Sequence, residues 1–195
     1  MDVSDKILSM STVKLAHDFW RQHVKAGDWA IDATCGNGKD TLALAQLIGE
    51  EGTLIGLDIQ SEALAKTQAL LEAHLSPKQL AKIHLFLQSH ADFPPLAHAQ
   101  KIKIIVYNLG YLPGGDKEII SKVESTLESV KKSLTLLAPQ GVVSLACYPG
   151  HAEGQREEEA LLQLLATLPS HEWDVSHQRW LNRHHFPSLI LVQKK

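Results

Sequence analysis

One glycine-rich stretch joins the first short apolar run of the chain to an amphipathic run: Asp32-Ala33-Thr34-Cys35-Gly36-Asn37-Gly38-Lys39-Asp40-Thr41. Residues 28–32 before it have the composition of a buried strand, and residues 39–48 have the apolar spacing of a helix. The two glycines beside Asn37 let the backbone turn sharply and lie against a ligand with no Cβ between them. The helix that follows brings unpaired N–H groups to the same place. The stretch therefore predicts a strand, a ligand-binding loop and a helix in succession.

The rest of the chain repeats this alternation of strands and helices, with neither a linker nor an internal repeat. Such alternation predicts right-handed crossovers and a parallel sheet with helices on both faces. Residues 172–178 and 188–192 have no helix between them, so we expect a hairpin in which one strand runs antiparallel to the sheet. Residues 13–24 predict a helix packed on the sheet. The other strands are expected at 53–57, 83–87, 102–106 and 141–146, and the other helices at 61–74, 117–137 and 153–168.

Length and composition are those of one globular domain. The chain has 195 residues, of which 44% are hydrophobic and 21% charged. We therefore expect residues 1–195 to form a single domain, with residues 1–26 as an N-terminal helical segment packed on the sheet. No apolar run approaches the ~18 residues of a membrane span, and the first residues do not resemble a signal peptide. Two cysteines cannot build a disulfide scaffold, and no His or Cys pair has metal-site spacing, which indicates a cytoplasmic protein without metal or membrane contact.

Charge is distributed unevenly along the chain. The net charge of −3 excludes a protein that is basic throughout, although it allows a local basic patch. After Asp174 the sequence contains no acidic residue, while Arg179, Arg183 and two C-terminal lysines lie in the same segment. Two interpretations stay open at this point: a solvated hairpin, or an edge of the domain that contacts a phosphate backbone.

Polar residues follow the second and third predicted strands. Asp58 comes directly after the second strand, where a carboxylate can accept both hydroxyl hydrogens of a ribose or can cap the next helix. Ser89 and His90 follow the third strand, where they can contact the edge of an adenine or form a polar turn. The first loop lacks the full GxGxxG pattern, which disfavours a nicotinamide dinucleotide. Because parallel strands end at the same edge of a sheet, the sequence predicts one nucleoside-binding site there.

A second glycine-rich ribbon follows the fourth predicted strand, and it reads Tyr107-Asn108-Leu109-Gly110-Tyr111-Leu112-Pro113-Gly114-Gly115-Asp116-Lys117. The amide of Asn108 and the carbonyl groups after it form a rigid set of hydrogen-bond acceptors beside the first loop. Such a set can hold an amine by its hydrogens and direct its lone pair at an electrophile. The ribbon therefore indicates an amine-binding position, and a purely structural loop is the alternative.

These segments resemble the class I S-adenosylmethionine-dependent methyltransferases, and the resemblance covers nearly the whole chain. The ribbon, Ser89-His90 and the later Tyr148-x-Gly150-His151-x-Glu153-Gly154 are similar to a smaller family that has been labelled rRNA methylases. That family includes the bacterial tRNA 5-aminomethyl-2-thiouridine methyltransferases. The resemblance implies a Rossmann-like α/β fold, with a seven-stranded mostly parallel sheet, a C-terminal antiparallel hairpin and helices on both faces. It also implies S-adenosyl-L-methionine as the cofactor.

The same resemblance implies a substrate and a set of residue roles. The substrate is the aminomethyl group of the wobble uridine in the anticodon stem-loop of tRNA, which is methylated on nitrogen to give 5-methylaminomethyl-2-thiouridine. Methylation of rRNA or of another small nucleophile, and a non-catalytic cofactor-binding module, are the alternatives, and a homodimer is left open. The expected catalytic residues are Asn108, Leu109 and His151. The expected cofactor-binding residues are Gly36, Asn37, Gly38, Lys39, Asp58, Gln60, Ser89 and His90. The expected substrate-binding residues are Tyr111, Asp116, Tyr148, Arg179 and Arg183.

His151 has two interpretations. An alkylamine is mostly protonated near neutral pH and must be neutral to attack, so a histidine at the mouth of the pocket can take its proton or contact the uridine. The other interpretation is a histidine that only belongs to a turn.

Overall fold

The computed structural model describes residues 11–110, 123–183 and 185–195. Within these ranges the chain forms seven strands and six helices. The strands are β1 (Trp29–Asp32), β2 (Thr53–Asp58), β3 (Ile83–Leu87), β4 (Ile102–Asn108), β5 (Leu137–Cys147), β6 (Trp173–Gln178) and β7 (Ser188–Lys194). The helices are α1 (Thr12–His23), α2 (Lys39–Ile48), α3 (Ser61–His74), α4 (Pro77–Leu80), α5 (Val123–Leu136) and α6 (Ala152–Leu165).

The seven strands form one sheet in the order β3-β2-β1-β4-β5-β7-β6. Neighbouring strands pair in parallel from β3 to β5, and β7 runs antiparallel to both β5 and β6. The predicted parallel sheet with a C-terminal antiparallel hairpin is therefore confirmed. The chain first proceeds outward from β1 to β3 and then returns to β4 on the other side of β1. Ligands of such sheets bind beyond the carboxyl ends of the strands at this reversal.

Alternate residues of each central strand point to opposite faces of the sheet, and each face buries its own apolar core. On one face, Ile31 and Ile105 pack in a cluster with Val130 of α5 and Leu161 of α6. On the other face, the alternate strand residues Ala30 and Ile104 pack in a second cluster with side chains of α1, α2 and α3. The strands are thus apolar on both sides, as parallel strands between two helix layers must be.

Helix α1 ties the beginning of the described chain to its last strands. It starts at the Ser11 side chain, which accepts a hydrogen bond from the Lys14 N–H over 3.2 Å. The indole Nε1 of the buried Trp20 donates to Oγ of Ser144 in β5 over 3.0 Å. The predicted helix over residues 13–24 therefore lies on the sheet beside β5 and β7, within one residue of its expected bounds.

One boundary prediction is wrong because an apolar residue suits both a helix and a strand. The pattern predicts a helix up to residue 137, but α5 ends at Leu136 and Leu137 begins β5 next to Ile102 of β4. The register between β4 and β5 then shifts, and Gln140 takes a positive φ of 59° in the irregular part of the strand. The expected start of that helix, at residue 117, lies outside the described residues.

The last helix and a short extra one also differ from expectation. The pattern predicts a helix to residue 168, but α6 ends at Leu165 because the N–H groups of Thr167 and Leu168 bond to carbonyls three residues back, which tightens the turn before Pro169. The four-residue α4 was not predicted, although its Ser76–Gln79 capping box is a recognisable start signal. None of the helices in the described part of the chain has the length and apolar character of a membrane span.

Candidate active site

A cavity of about 1000 Å³ opens at the carboxyl ends of the parallel strands β1 to β5, where the strand order reverses. Its wall contains residues from the glycine loop, from the ends of five strands and from the segment before β7. Most of the residues predicted for the site share this cavity. They are Gly36, Asn37, Lys39, Asp58, Gln60, Ser89, His90, Asn108, Leu109, Tyr148 and His151.

The carboxylate of Asp58 connects the glycine loop to the helix that follows β2. Its Oδ2 accepts a hydrogen bond from the Gly36 N–H over 2.9 Å, and its Oδ1 accepts one from the Gln60 N–H over 2.9 Å. Each carboxylate oxygen has a second lone pair, so both can still accept a hydroxyl hydrogen from a ligand in the cavity. Asp58 therefore both shapes the loop and presents acceptors to the cavity, and the two roles considered from sequence are compatible.

Gly38 packs against a neighbouring helix and is absent from the cavity wall. It precedes α2 with a φ of 79°, and a Cβ on it would lie 2.8 Å from Cα of Thr67 in α3. The hydroxyl of Thr67 also donates to the Gly36 carbonyl over 3.3 Å. Gly38 thus permits the close approach of α3 to the loop, and its predicted contact with the cofactor stays a prediction.

Three carboxylates surround the glycine loop. Asp32, at the end of β1, is 1% exposed and accepts hydrogen bonds from the Thr41 hydroxyl over 2.6 Å and the Thr34 N–H over 3.1 Å. Burial, assisted by the nearby negative charges of Asp40 and Asp58, raises the pKa of Asp32 to about 7. The acids lie close enough to repel one another, so the site favours a cationic ligand over an anionic one.

The loop after β3 is held by a chain of hydrogen bonds. The Tyr107 hydroxyl and Oγ of Ser129 lie 2.7 Å apart, and Oγ of Ser129 donates to the His90 carbonyl over 2.7 Å. The ring of His90 lies edge-on to the ring of Tyr107, with centroids 5.9 Å apart. Burial lowers the pKa of His90, which favours the neutral ring. Its Nε2 is buried and has no hydrogen-bond partner among the described residues, and the residue lines the cavity.

Asn108 is fixed by the first loop on two sides. Its backbone N–H donates to Oγ1 of Thr34 over 2.7 Å, and its Nδ2 donates to Oδ2 of Asp40 over 2.9 Å. The other oxygen of Asp40 lies 2.7 Å from Nε2 of His17 in α1. Because an ionised carboxylate only accepts hydrogen bonds, Asp40 holds the amide nitrogen of Asn108 and leaves the amide oxygen as the acceptor. This is the acceptor that an amine requires.

Comparison with known proteins identifies the family of this chain. A profile of the family described as "Putative rRNA methylase" matches residues 54–194. A tRNA (mnm5s2U34)-methyltransferase of Arabidopsis thaliana chloroplasts is 35% identical over 188 residues, which are 93% of this chain and 69% of that protein. The chain belongs to this methyltransferase family.

Two crystal structures of related proteins match the fold of this methyltransferase over its length. An rRNA-methylase homologue from Clostridium thermocellum has a TM-score of 0.89 and 32% identity, over 95% of this chain and 98% of that one. A methyltransferase from Streptococcus mutans in complex with S-adenosylhomocysteine has a TM-score of 0.78 and 30% identity, over 95% and 99% of the two chains. The enzyme is therefore a class I methyltransferase, and its cofactor is S-adenosyl-L-methionine.

The residues of the cavity suit this cofactor. S-adenosyl-L-methionine carries positive charge on its sulfonium and its amino group, which matches the acidic surroundings formed by Asp32, Asp40 and Asp58. Asp58 presents two acceptors for ribose hydroxyls. Ile59 is 54% exposed and lines the same cavity, where it offers an apolar surface to a base, and the buried Nε2 of His90 lacks a partner. A nucleoside with positive charge fits all of these features.

Two predicted residues from the segment that follows β5 also line the cavity. Burial raises the pKa of Tyr148, with Asp40 adding to the shift and a hydrogen bond with Asn108 opposing it, so Tyr148 lies beside the pair described above. His151 is the N-cap of α6, and its Nδ1 accepts a hydrogen bond from the Gly154 N–H over 3.1 Å. The predicted catalytic role of His151 stays a prediction.

The remaining predicted substrate residues lie outside this cavity or outside the described chain. Arg179 and Arg183 line a smaller cavity beside it, while His185 and Pro187 of the same segment line the large one. Tyr111 and Asp116 fall outside the described residues. Their contact with substrate stays a prediction.

Sequence reasoning missed the residues that hold Asn108. The sequence pattern includes Asp40 only as part of the first loop and assigns no role to His17. Thr34 was likewise treated as a loop residue without a partner. A signal for Asp40 was present, because an acid in the first turn of a helix after a glycine loop is placed at the ligand-binding edge of the sheet. No group of three or more His, Cys, Asp or Glu side chains that could hold a metal occurs in the described part of the chain.

Proposed function

We propose that this methyltransferase methylates the aminomethyl nitrogen of 5-aminomethyl-2-thiouridine at the wobble position of tRNA, giving 5-methylaminomethyl-2-thiouridine. The observation that carries this proposal is the Asn108–Asp40 pair in the cavity wall, where an amide oxygen is left as an acceptor beside a carboxylate. An amine has hydrogens for the acceptor and becomes a cation when it is methylated. The name of the Arabidopsis thaliana relative supports the same substrate.

The chain contributes position and charge to this reaction. When bound, S-adenosyl-L-methionine supplies a methyl group that its sulfonium has already activated. The Asn108 amide oxygen and the Leu109 carbonyl accept the two hydrogens of the neutral amine and direct its lone pair into the cavity. The carboxylate of Asp40 stabilises the positive charge that develops on the nitrogen.

The remaining residues of the cavity hold the cofactor. Asp58 and Gln60 would hold the ribose, and Ser89 and His90 the adenine. Gly36, Asn37 and Lys39 line the same cavity and would hold the methionine part, because the glycine loop allows the backbone to approach it closely. In this arrangement residues 1–195 act as one methyltransferase domain in the cytoplasm.

The segment between β6 and β7 carries the basic groups that a tRNA would contact. Arg179, Arg183 and His185 are exposed, and His185 also lines the large cavity. No acidic residue follows Asp174 in the sequence, so this edge attracts phosphates although the whole chain is slightly acidic. An anticodon stem-loop bound there places an unpaired nucleotide at the cavity mouth.

Mass spectrometry of tRNA nucleosides tests the proposal directly. Cells that lack the protein should accumulate 5-aminomethyl-2-thiouridine and lose the methylated nucleoside, and the purified enzyme with S-adenosyl-L-methionine should restore it on their tRNA. An unchanged tRNA profile together with a lost methyl group in rRNA would favour the rRNA substrate named in the family description. Cofactor binding without methyl transfer to any RNA would favour a non-catalytic module.

A further inference from the structure

A second, smaller cavity lies beside the first and is not used by the chemistry described above. Its volume is about 150 Å³, too small for a whole cofactor and comparable to one planar ring system. Its wall combines aromatic, basic and acidic side chains. The residues that matter here are Pro149, Glu158, Arg179, Trp180, Arg183 and Phe186.

Arg183 lies against two aromatic rings in this wall. Its guanidinium carbon is 5.2 Å from the ring centroid of Trp180 and 4.9 Å from that of Phe186. Such cation–π contacts hold a long side chain in one place, so less conformational freedom is lost when a ligand binds. Leu181, which lies between Trp180 and Arg183 in the sequence, is 83% exposed, and Phe186 is 38% exposed. Flat apolar surface and fixed positive charge therefore face solvent together.

The acidic group of the small cavity, Glu158, is held by two neighbouring side chains. The carboxylate of Glu158 in α6 accepts a hydrogen bond from the Ser188 hydroxyl, and Nε2 of His177 lies 3.4 Å from the same oxygen. The Glu158 side chain is 14% exposed. A fixed carboxylate next to an aromatic surface can accept the N–H groups on the edge of a nucleobase.

The two cavities share two segments of chain. Pro149 lines the small cavity, and its neighbours Tyr148 and Gly150 line the large one. Phe186 lines the small cavity, and Pro187 lines the large one. The carbonyl of His185 lies 3.7 Å from the position that a Cβ on Gly150 would take, so the two segments touch. A ligand that fills the large cavity and continues outward meets the small one next.

We propose that the small cavity binds the base of the unpaired nucleotide adjacent to the nucleotide that is methylated. This inference rests on the proposed function, because it requires a single-stranded RNA substrate. The base stacks on the rings of Trp180 and Phe186, its edge donates to Glu158, and Arg179 contacts the phosphate between the two nucleotides. Stacking on aromatic side chains together with Arg contacts is how proteins bind unpaired nucleotides.

Combining changes in the protein with changes in the RNA tests the subsite. The probe is a fluorescein-labelled anticodon stem-loop RNA, compared with the same RNA made abasic at each neighbour of the wobble nucleotide. Trp180→Ala should weaken binding of the intact RNA by about tenfold, as loss of one stacked base does. One abasic RNA should bind wild type about tenfold more weakly, and Trp180→Ala should weaken its binding no further.

Two further variants keep the test decisive. Leu181→Asp changes a side chain that is 83% exposed, so the fold is retained, and its negative charge should also weaken RNA binding severalfold. Lys101→Ala is the matched control, because its Nζ lies 4.1 Å from the Trp29 ring centroid at the opposite end of the strands. It should leave binding of both RNAs unchanged.

The outcomes separate the subsite from the proposed function. If the enzyme methylates tRNA but no abasic RNA loses affinity, the subsite is wrong and the proposed function stands. If Trp180→Ala and an abasic neighbour weaken binding additively, the base lies elsewhere and the subsite is equally wrong. If nucleoside analysis finds no tRNA methylation at all, the proposed function fails first and the subsite with it.

Discussion

The Nδ2 of Asn108 donates to Oδ2 of Asp40 over 2.9 Å, across 68 residues of sequence. Asp40 is the second residue of α2, and Asn108 is the last residue of β4. The other oxygen of Asp40 pairs with His17 of α1. The carboxylate therefore fixes the direction of the Asn108 amide, and α1 fixes the carboxylate.

Replacement of Asp40 tests this relationship. Asp40→Asn retains the size of the side chain and removes its charge, so we expect kcat to fall by about 10- to 100-fold because the developing cation loses a stabilising group. The dissociation constant for S-adenosyl-L-methionine should change by less, which single-turnover kinetics and calorimetry can separate. His17→Gln, which can still donate to the carboxylate, should have a smaller effect. Equal kcat in Asp40→Asn and wild type would contradict the assignment.

Removal of the Asp58 carboxylate should weaken cofactor binding. Asp58→Ala leaves the Gly36 and Gln60 N–H groups without their acceptor and removes the two oxygens that we propose accept the ribose hydroxyls. We expect a loss of about 2 to 3 kcal/mol in calorimetry, as for hydrogen bonds to a charged group. Glu62→Gln removes an exposed acid from the start of the same α3 and should leave affinity unchanged. Unaltered affinity in Asp58→Ala would remove Asp58 from the site.

Alanine substitutions at two glycines distinguish the cost of backbone strain from the cost of steric overlap. Gly38 (φ 79°) and Gly27 (φ 89°) both have left-handed backbones, but only Gly38 would place a Cβ 2.8 Å from Cα of Thr67. Gly27→Ala should lower the free energy of unfolding by about 1 kcal/mol, through strain alone. Gly38→Ala should lower it by about 2 kcal/mol more, since a backbone atom must shift. Denaturant unfolding measures both, and equal losses would show that α3 moves away easily.

Asp32 should make stability depend on pH. Its pKa is about 7 in the folded protein, against 3.8 for the ordinary group, so the folded state binds more protons between those values. The contribution of Asp32 to the free energy of unfolding therefore decreases as pH rises from about 4 to 7, and it stays lower above pH 7. Asp32→Asn should flatten this dependence and raise stability at pH 8 by about 1 to 3 kcal/mol.

The control for Asp32 is an acid on the surface. Asp174→Asn removes one exposed charge on β6 and should leave the pH dependence in place. Thermal unfolding between pH 4 and 8 compares the two variants with wild type. A parallel pH profile in Asp32→Asn would show that the buried carboxyl is not the titrating group.

The basic edge should govern the RNA and leave the cofactor unaffected. Replacing Arg179, Arg183 and His185 together with alanine should raise KM for tRNA and reduce its dependence on salt, because phosphate contacts are lost. Calorimetry should find S-adenosyl-L-methionine binding unchanged, which excludes general unfolding. The control triple variant replaces Lys78, Lys82 and Lys101, which are exposed near the amino ends of β3 and β4. If the first triple variant methylates tRNA as well as wild type at physiological salt, the RNA binds elsewhere.

Local sequence patterns predict most of the helices and strands. The predicted bounds are most accurate where residues that start or stop a helix are present. The bounds 39–48, 61–74 and 83–87 agree with the structure residue for residue. Gly38 and Gly49 bracket the first of these segments, so its ends are marked in the sequence itself. Leu137 had no such mark, and only its pairing with Ile102 makes it part of a strand. Boundaries that depend on tertiary pairing are invisible to periodicity.

In the candidate site, too, some features could be predicted from the sequence and others could not. Asn108 and Asp58 could be proposed from sequence because each follows an apolar strand and so lies at the ligand-binding edge. The pairs Asn108–Asp40 and Asp40–His17 could not, since a polar residue on a helix has no sequence signal for its partner on another element. The small cavity also needed the structure, because its wall joins residues 149 and 158 to the segment before β7.

The position of α1 has a consequence for the order in which the site is assembled as the chain folds. The Thr12 hydroxyl donates to the Pro187 carbonyl over 2.8 Å, across 175 residues, and Trp20 is anchored on β5. Contacts that join the two ends of a chain form late, because a long loop must close first. His17 reaches Asp40 only from the docked helix. In a chain whose sheet has formed while α1 is undocked, Thr34 and Asp40 would therefore already hold Asn108, but the Asp40 carboxylate would lack its second partner until α1 docks.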